Sequence, residues 1–145
     1  VDNRHRKSGI RPELIAELHG SIARMGYRQG GGTVARSEGR QRCVCGGELV
    51  RSVVDFGESL PEADLTQAFE HARRSDLFIV LGSSLVVTPA ADMPREALRA
   101  GAKLAIVNRE ETPFDASVHL RFQESVGEVM PRVAKRLKRL MGYFE

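Results

Sequence analysis

Two short apolar runs, each ending in small polar groups, do most to restrict how this chain can fold. Leu77-Phe-Ile-Val-Leu81 is followed by Gly82, Ser83 and Ser84, and Lys103-Leu-Ala-Ile-Val107 is followed by Asn108 and Glu110. Both runs have strand length and are rich in large apolar side chains. Between them, residues from about Pro89 to Arg99 carry a helical pattern that Gly101 closes. A strand, a helix and a second strand in that order imply a parallel pair joined by a crossover. In open α/β sheets, ligands bind just beyond the carboxyl ends of the strands. Here those ends carry a glycine, two hydroxyls, an amide and a carboxylate, which suits a sugar or a phosphate. Side by side, the two ends would form a nucleotide crevice.

The rest of the chain extends this alternation. Pro12 suits a first helical position, and Leu14, Ile15 and Leu18 share a face, so a short helix is expected over 12–18 with Gly20 as its stop. Residues 26–42 hold Gly30-Gly31-Gly32 among polar side chains and read as a flexible loop or a reduced small module. Leu49-Val50, Val53-Val54 and Phe56 form an extended segment. A helix starting at Pro61 carries Leu65, Ala68, Phe69 and Ala72 on one face. A strand over 118–122 and a final helix from about Val126 to Met141 complete the pattern. The expected fold class is α/β, a partial Rossmann-like parallel sheet with helices on both faces, plus a reduced small-module loop region.

With 145 residues, 41% hydrophobic and 28% charged, the composition is that of one soluble globular domain. No apolar run approaches the ~18–20 residues of a membrane span, and the first residues have no signal-peptide core. Two cysteines make no disulfide framework, so a cytoplasmic setting is expected. The net charge is +3. Its densest run, Arg132-Val-Ala-Lys-Arg-Leu-Lys-Arg139, reads as the solvated face of a C-terminal helix. No aromatic residues interleave with those charges, which argues against nucleic acid as a partner.

Several motifs resemble those of the sirtuin family. Val1-Asp-Asn-Arg-His-Arg-Lys-Ser-Gly9 is similar to the family's Asn-Val-Asp-x-Leu-His-x-x-Ala/Ser-Gly. Glu17-Leu-His-Gly20 looks like its Glu-Leu-His-Gly, and Val53-Val-Asp-Phe-Gly-Glu58 like its Val-x-Phe-Gly-Glu. Gly82-Ser-Ser-Leu85, Ile106-Val-Asn-x-Glu110 and Val126-Gly-Glu-Val129 resemble three later family segments in the family's order. The likeness covers nearly the whole chain and corresponds to the later part of a sirtuin catalytic domain. The family's opening Gly-rich loop would lie before Val1. Residues 1–145 are thus expected to be a single partial domain, with 21–48 a remnant of the small zinc module and 49–145 the Rossmann-like half.

The resemblance implies an NAD-dependent protein-lysine deacylase, which transfers an acyl group to ADP-ribose and releases nicotinamide. It makes His19 the catalytic base, because a ribose hydroxyl must lose a proton and imidazole titrates near neutral pH. It assigns Asp2, Gly82, Ser83, Ser84, Asn108, Glu110 and Val126 to the cofactor, and Val54, Phe56 and Gly57 to the acyl-lysine substrate. An extended peptide could add as a strand beside the Val53–Phe56 segment. Two other functions fit the same residues: a mono-ADP-ribosyltransferase, and a catalytically inactive nucleotide- or protein-binding module.

The sequence departs from the family at its zinc site. The family holds zinc with four thiolates in two Cys-x-x-Cys pairs, and tetrahedral zinc needs four ligands. Here Cys43-Val-Cys45 has one spacer, and residues 21–42 contain neither Cys nor His. The reading is two free thiols and no structural metal, with Cys43 and Cys45 the weak candidates. Arg4 also stands where the family has Leu, within a segment that the resemblance places at the cofactor. His5 is expected to shape its loop, and His71, in a helix, and His119, in a strand, to be structural or solvated.

Overall fold

The structure is a computed structural model and describes residues 2–27, 33–36, 39, 42, 46–55 and 57–143. The chain divides into two compact units, Val1–Ala68 and Phe69–Glu145.

In the first unit, α1 (Arg4–Lys7) is a single turn. Asn3 precedes it with φ 63°, a left-handed conformation that an Asn side chain tolerates. The Ser8 hydroxyl donates to the His5 carbonyl at 2.6 Å and closes the turn. The helix expected over 12–18 is only a 3₁₀ turn, Pro12–Leu14. Ile15 is extended and buried. The Glu17 N–H is then taken by Asp64 Oδ1 at 3.1 Å, not by a helical carbonyl. Tertiary contacts thus override the helical spacing of Leu14, Ile15 and Leu18.

Three short strands follow: β1 (Arg24–Tyr27), β2 (Thr33–Ala35) and β3 (Leu49–Arg51). They form an antiparallel sheet in the order β2-β1-β3, with Met25 opposite Val34 and Gly26 opposite Val50. Of the two readings of 26–42, a flexible loop or a reduced small module, the described residues follow the second, with the end of β1 and all of β2 paired in this sheet. The Gly30–Gly32 run itself lies outside the described residues. Polar pairing replaces the missing apolar alternation: the Arg24 guanidinium donates to the Thr33 carbonyl at 2.7 Å.

α2 (Glu62–Arg74) leads into the second unit, where its Ala72 is buried. A parallel sheet then forms in the order β4-β5-β6 from β4 (Leu77–Leu81), β5 (Lys103–Val107) and β6 (Leu120–Phe122). Val80 lies opposite Ile106, and Ile106 opposite Arg121. The expected helix between β4 and β5 is a 3₁₀ turn, Ala90–Asp92, running into α3 (Met93–Arg99). β6 is shorter than the expected 118–122, although the His119 N–H still donates to the Leu104 carbonyl at 2.8 Å.

One face of this sheet, carrying Val80, Leu104 and Ile106, packs with Leu85, Phe114 and Leu98 of α3. Leu104 and Ile106 are wholly buried, each worth about 1.5–3 kcal/mol in apolar transfer. On the other face Leu77, Ile79, Leu81 and Leu120 remain between 43% and 56% exposed. α4 (Val126–Leu140) begins beyond β6. Its Val129, Val133 and Leu137 border a groove together with Phe122, which lies on that second face. The fold is therefore α/β and Rossmann-like, with a parallel sheet flanked by helices. The basic run 132–139 lies on α4 with its Arg and Lys side chains exposed. Among the described residues no helix is long and apolar enough to cross a membrane.

Candidate active site

The first unit gathers three of the family-like segments. Arg6 of α1 donates through Nε to Glu17 Oε2 at 2.6 Å, tying the segment at Asp2 to the one at His19. Glu17 is only 12% exposed and Arg6 26%. Gly20 follows His19 with φ 66°, and a Cβ on it would fall 1.7 Å from the Ser52 carbonyl oxygen. Only glycine permits that approach. Around it, the Ser52 hydroxyl donates to the Ser21 carbonyl at 2.8 Å, and the Val54 N–H donates to the His19 carbonyl at 3.3 Å. The backbone of His19 is thereby fastened to residues 52–54, while its imidazole is exposed.

β3 ends at Arg51, and residues 52–55 run on outside the ladder. Glu58, for which the sequence suggests no role, shapes the next turn. Its carboxylate accepts the Asp55 N–H at 2.7 Å, and Gly57 adopts φ 85°. Phe56, Cys43 and Cys45 lie outside the described residues. Asp2 is exposed and pairs with Arg4, whose side chain is 86% exposed, at 3.0 Å. The Arg4 backbone N–H, ahead of its guanidinium, holds the Asp2 carboxyl below the ordinary range. Arg4 thus turns to solvent and neutralises the carboxylate assigned to the cofactor.

The second unit forms a hollow of about 320 Å³ at the carboxyl end of β5. Gly82, Asn108, Glu110 and Val126, all expected from sequence, line it. Ser83 and Ser84 are exposed and are not among its lining residues. The Ser83 hydroxyl instead accepts the Leu85 N–H at 3.3 Å. Gly82 has φ 63°, and a Cβ there would lie 3.7 Å from Val126 Cγ2, filling the gap between β4 and α4. The Asn108 side-chain NH₂ donates to the Glu110 carbonyl at 2.9 Å, and among the described residues its Oδ1 meets no donor. That oxygen can accept a hydroxyl.

Sequence reasoning missed Arg109, Glu124 and Ser125, which also line the hollow. Ser125 had a legible signal, the Ser-x-x-Glu pattern of a helix start. Glu128 accepts from both the N–H and the hydroxyl of Ser125, at 3.0 and 2.5 Å. Those bonds, the hydroxyl's first, hold the Glu128 carboxyl below its usual range. The lining thus holds two carboxylates, Glu110 and Glu124, and one guanidinium, Arg109. That balance favours neutral hydroxyl donors over a phosphate. The other histidines are peripheral: His5 and His71 are exposed, and His119 Nδ1 accepts the Leu104 N–H at 3.2 Å.

The donor sets bear differently on NAD, which the sequence leads one to expect, and on zinc, which it does not. The hollow offers an amide oxygen, carboxylates and a glycine-floored gap, which fit the ribose of NAD. Zinc does not fit. The chain has two cysteines where the family uses four thiolates.

A parallel sheet that opens at a strand end into a glycine, an amide and a helix start defines a Rossmann-like half-domain. The chain belongs to the Sir2 family, whose model matches residues 1–89. It is 42% identical over 144 residues to the NAD-dependent protein deacetylase 1 of Geobacillus kaustophilus, covering 94% of this chain and 57% of that protein. It is 40% identical to the NAD-dependent protein deacylase 2 of Archaeoglobus fulgidus, covering 97% and 58%. Among solved structures, Sir2Af2 bound to a myristoylated histone peptide matches with TM-score 0.78 and 38% identity, over 99% of this chain and 64% of that one. A Sir2–p53 peptide–NAD⁺ complex matches with TM-score 0.73 and 33% identity, over 99% and 61%. The chain therefore spans just over half the length of the two relatives it is compared with.

Proposed function

We propose that this chain carries the later part of an NAD-dependent protein-lysine deacylase. The observation that supports this most is the hollow at the end of β5, built from the family-like residues Gly82, Asn108, Glu110 and Val126. When bound, NAD supplies a ribose carbon that accepts the acyl oxygen as nicotinamide leaves. Asn108 Oδ1 and the carboxylates of Glu110 and Glu124 would hold hydroxyls of its ribose, and Val126 would lie against its adenine. An imidazole nitrogen of His19 takes the proton of a ribose hydroxyl. Its exposed ring and fastened backbone suit that task, since a base must be reachable yet fixed. Val54 and Gly57 border the acyl-lysine, with Phe56 between them in sequence. The partner is an acylated-lysine protein. The peptides named in the matched complexes support that substrate class.

The test is nicotinamide release from NAD with and without an N-acetyl-lysine peptide. Release that requires the peptide and disappears in His19→Ala supports the deacylase. Transfer of ADP-ribose to protein without acyl-lysine supports the transferase instead. The two-cysteine zinc segment favours a second reading, a nucleotide-binding module without turnover. Binding of ADP-ribose with no nicotinamide release would support that module.

A further inference from the structure

We infer that Arg121 is a positioning residue for the ribose hollow: its guanidinium holds the backbone carbonyls of Asn108 and Glu110, so that the side chains of 108–110 form one wall. The inference rests on the reading of that hollow as a nucleotide site. Arg121 lies on β6 opposite Ile106, on the face that builds the apolar core. A charged side chain is costly there unless fully partnered. Its side chain is only 16% exposed, and it is partnered throughout. NH1 donates to the carbonyls of Asn108 at 2.5 Å and Phe122 at 2.6 Å. NH2 donates to the Glu110 carbonyl at 2.6 Å, and Nε donates to Asp115 Oδ1 at 3.1 Å. Asp115 is itself fixed by the buried Thr112, whose hydroxyl donates to the same oxygen at 2.6 Å.

The loop after β5 is thus wrapped around one planar fork. Two of the four bonds hold the backbone of 108 and 110, and the other two anchor the guanidinium to Phe122 and Asp115; a planar guanidinium suits this far better than a flexible ammonium. Arg121 is not among the lining residues, so any effect on ligand passes through the loop. The alternative is a purely structural arginine, whose removal would loosen the sheet as a whole.

The experiment compares the chain with Arg121→Gln, Arg121→Lys and Leu98→Ala, a core variant chosen as a stability control. Amide hydrogen exchange is measured along the chain, and ADP-ribose binding is measured by calorimetry. In Arg121→Gln, exchange should rise at 108–112 while β4 and β5 amides keep their protection. ADP-ribose affinity should fall about tenfold. Arg121→Lys should recover only part of it, and Leu98→Ala should lower the melting temperature yet bind normally. Unchanged exchange at 108–112, or equal binding by Arg121→Gln and wild type, overturns the inference alone. Failure of the wild-type chain to bind ADP-ribose overturns the underlying reading, and the inference with it.

Discussion

Gly20 and Ser52 meet so closely that no side chain fits between them: a Cβ on Gly20 would stand 1.7 Å from the Ser52 carbonyl oxygen. The contact fixes the chain immediately after His19 against the segment that carries Val54. Gly20→Ala meets both this clash and the left-handed φ of 66°. It should cost at least about 2 kcal/mol. Urea unfolding of the variant, followed by the amide signals of residues 49–54, measures the loss. Full retention of stability would show that the approach is not maintained in solution.

Arg6 and Glu17 bind two motifs that lie apart in sequence. Both side chains are mostly buried, so removing either leaves its partner poorly compensated. Arg6→Ala and Glu17→Ala should each destabilise the first unit. A double-mutant cycle should return a coupling of about 1 kcal/mol, below that of a fully buried pair because of the remaining exposure. A coupling indistinguishable from zero would leave the two motifs adjacent without mutual support.

The second unit was the more legible part of the chain. Its strands are short runs dominated by apolar residues, and that pattern survives any detail of packing, so 77–81 and 103–107 emerge with their ends in place. Gly82, Asn108 and Glu110 were readable because a parallel sheet binds ligands at those ends, whereas Val126 was readable only from the likeness of Val126-Gly-Glu-Val129 to a family segment. The first unit was not legible in the same way. Leu14, Ile15 and Leu18 have helical spacing, but Asp64 takes the Glu17 amide and the helix stops at Leu14. β1 and β2 carry almost no alternation, and Arg24 holds them with polar bonds that periodicity does not register. Arg121 escaped notice for a related reason. A charge on a strand reads as solvent-facing until the register places it opposite Ile106.

Acid should expose the network around Arg121. The Thr112 hydroxyl, ahead of the Arg121 guanidinium, holds the Asp115 carboxyl below its ordinary value. The folded protein therefore binds this proton less readily than the unfolded chain does. The resulting stability is complete above the unfolded pKa of about 3.9 and is lost as pH falls through the lower folded value. Asp115→Asn should flatten the fall in melting temperature below about pH 4, and carbon-detected titration should place the wild-type carboxyl below a free aspartate. An ordinary Asp115 titration would contradict the hydrogen-bonded geometry.

The charges around the hollow make a final prediction about which nucleotides it accepts. Glu110 and Glu124 line it together with Arg109, so a hydroxyl should be accepted where a phosphate should be repelled. A second phosphate on the adenosine ribose would bring about two negative charges within several ångströms of those carboxylates. At that separation each pair costs on the order of 0.5–1 kcal/mol even in water-like surroundings. ADP-ribose should therefore bind at least about tenfold more tightly than its 2′-phosphorylated form. Glu110→Gln with Glu124→Gln should narrow that gap and leave ADP-ribose affinity nearly unchanged, because the amides still accept a hydroxyl. Salt should narrow it too, since the repulsion is screened. Equal binding of the two nucleotides by the wild-type chain would mean that the ribose does not lie between these carboxylates.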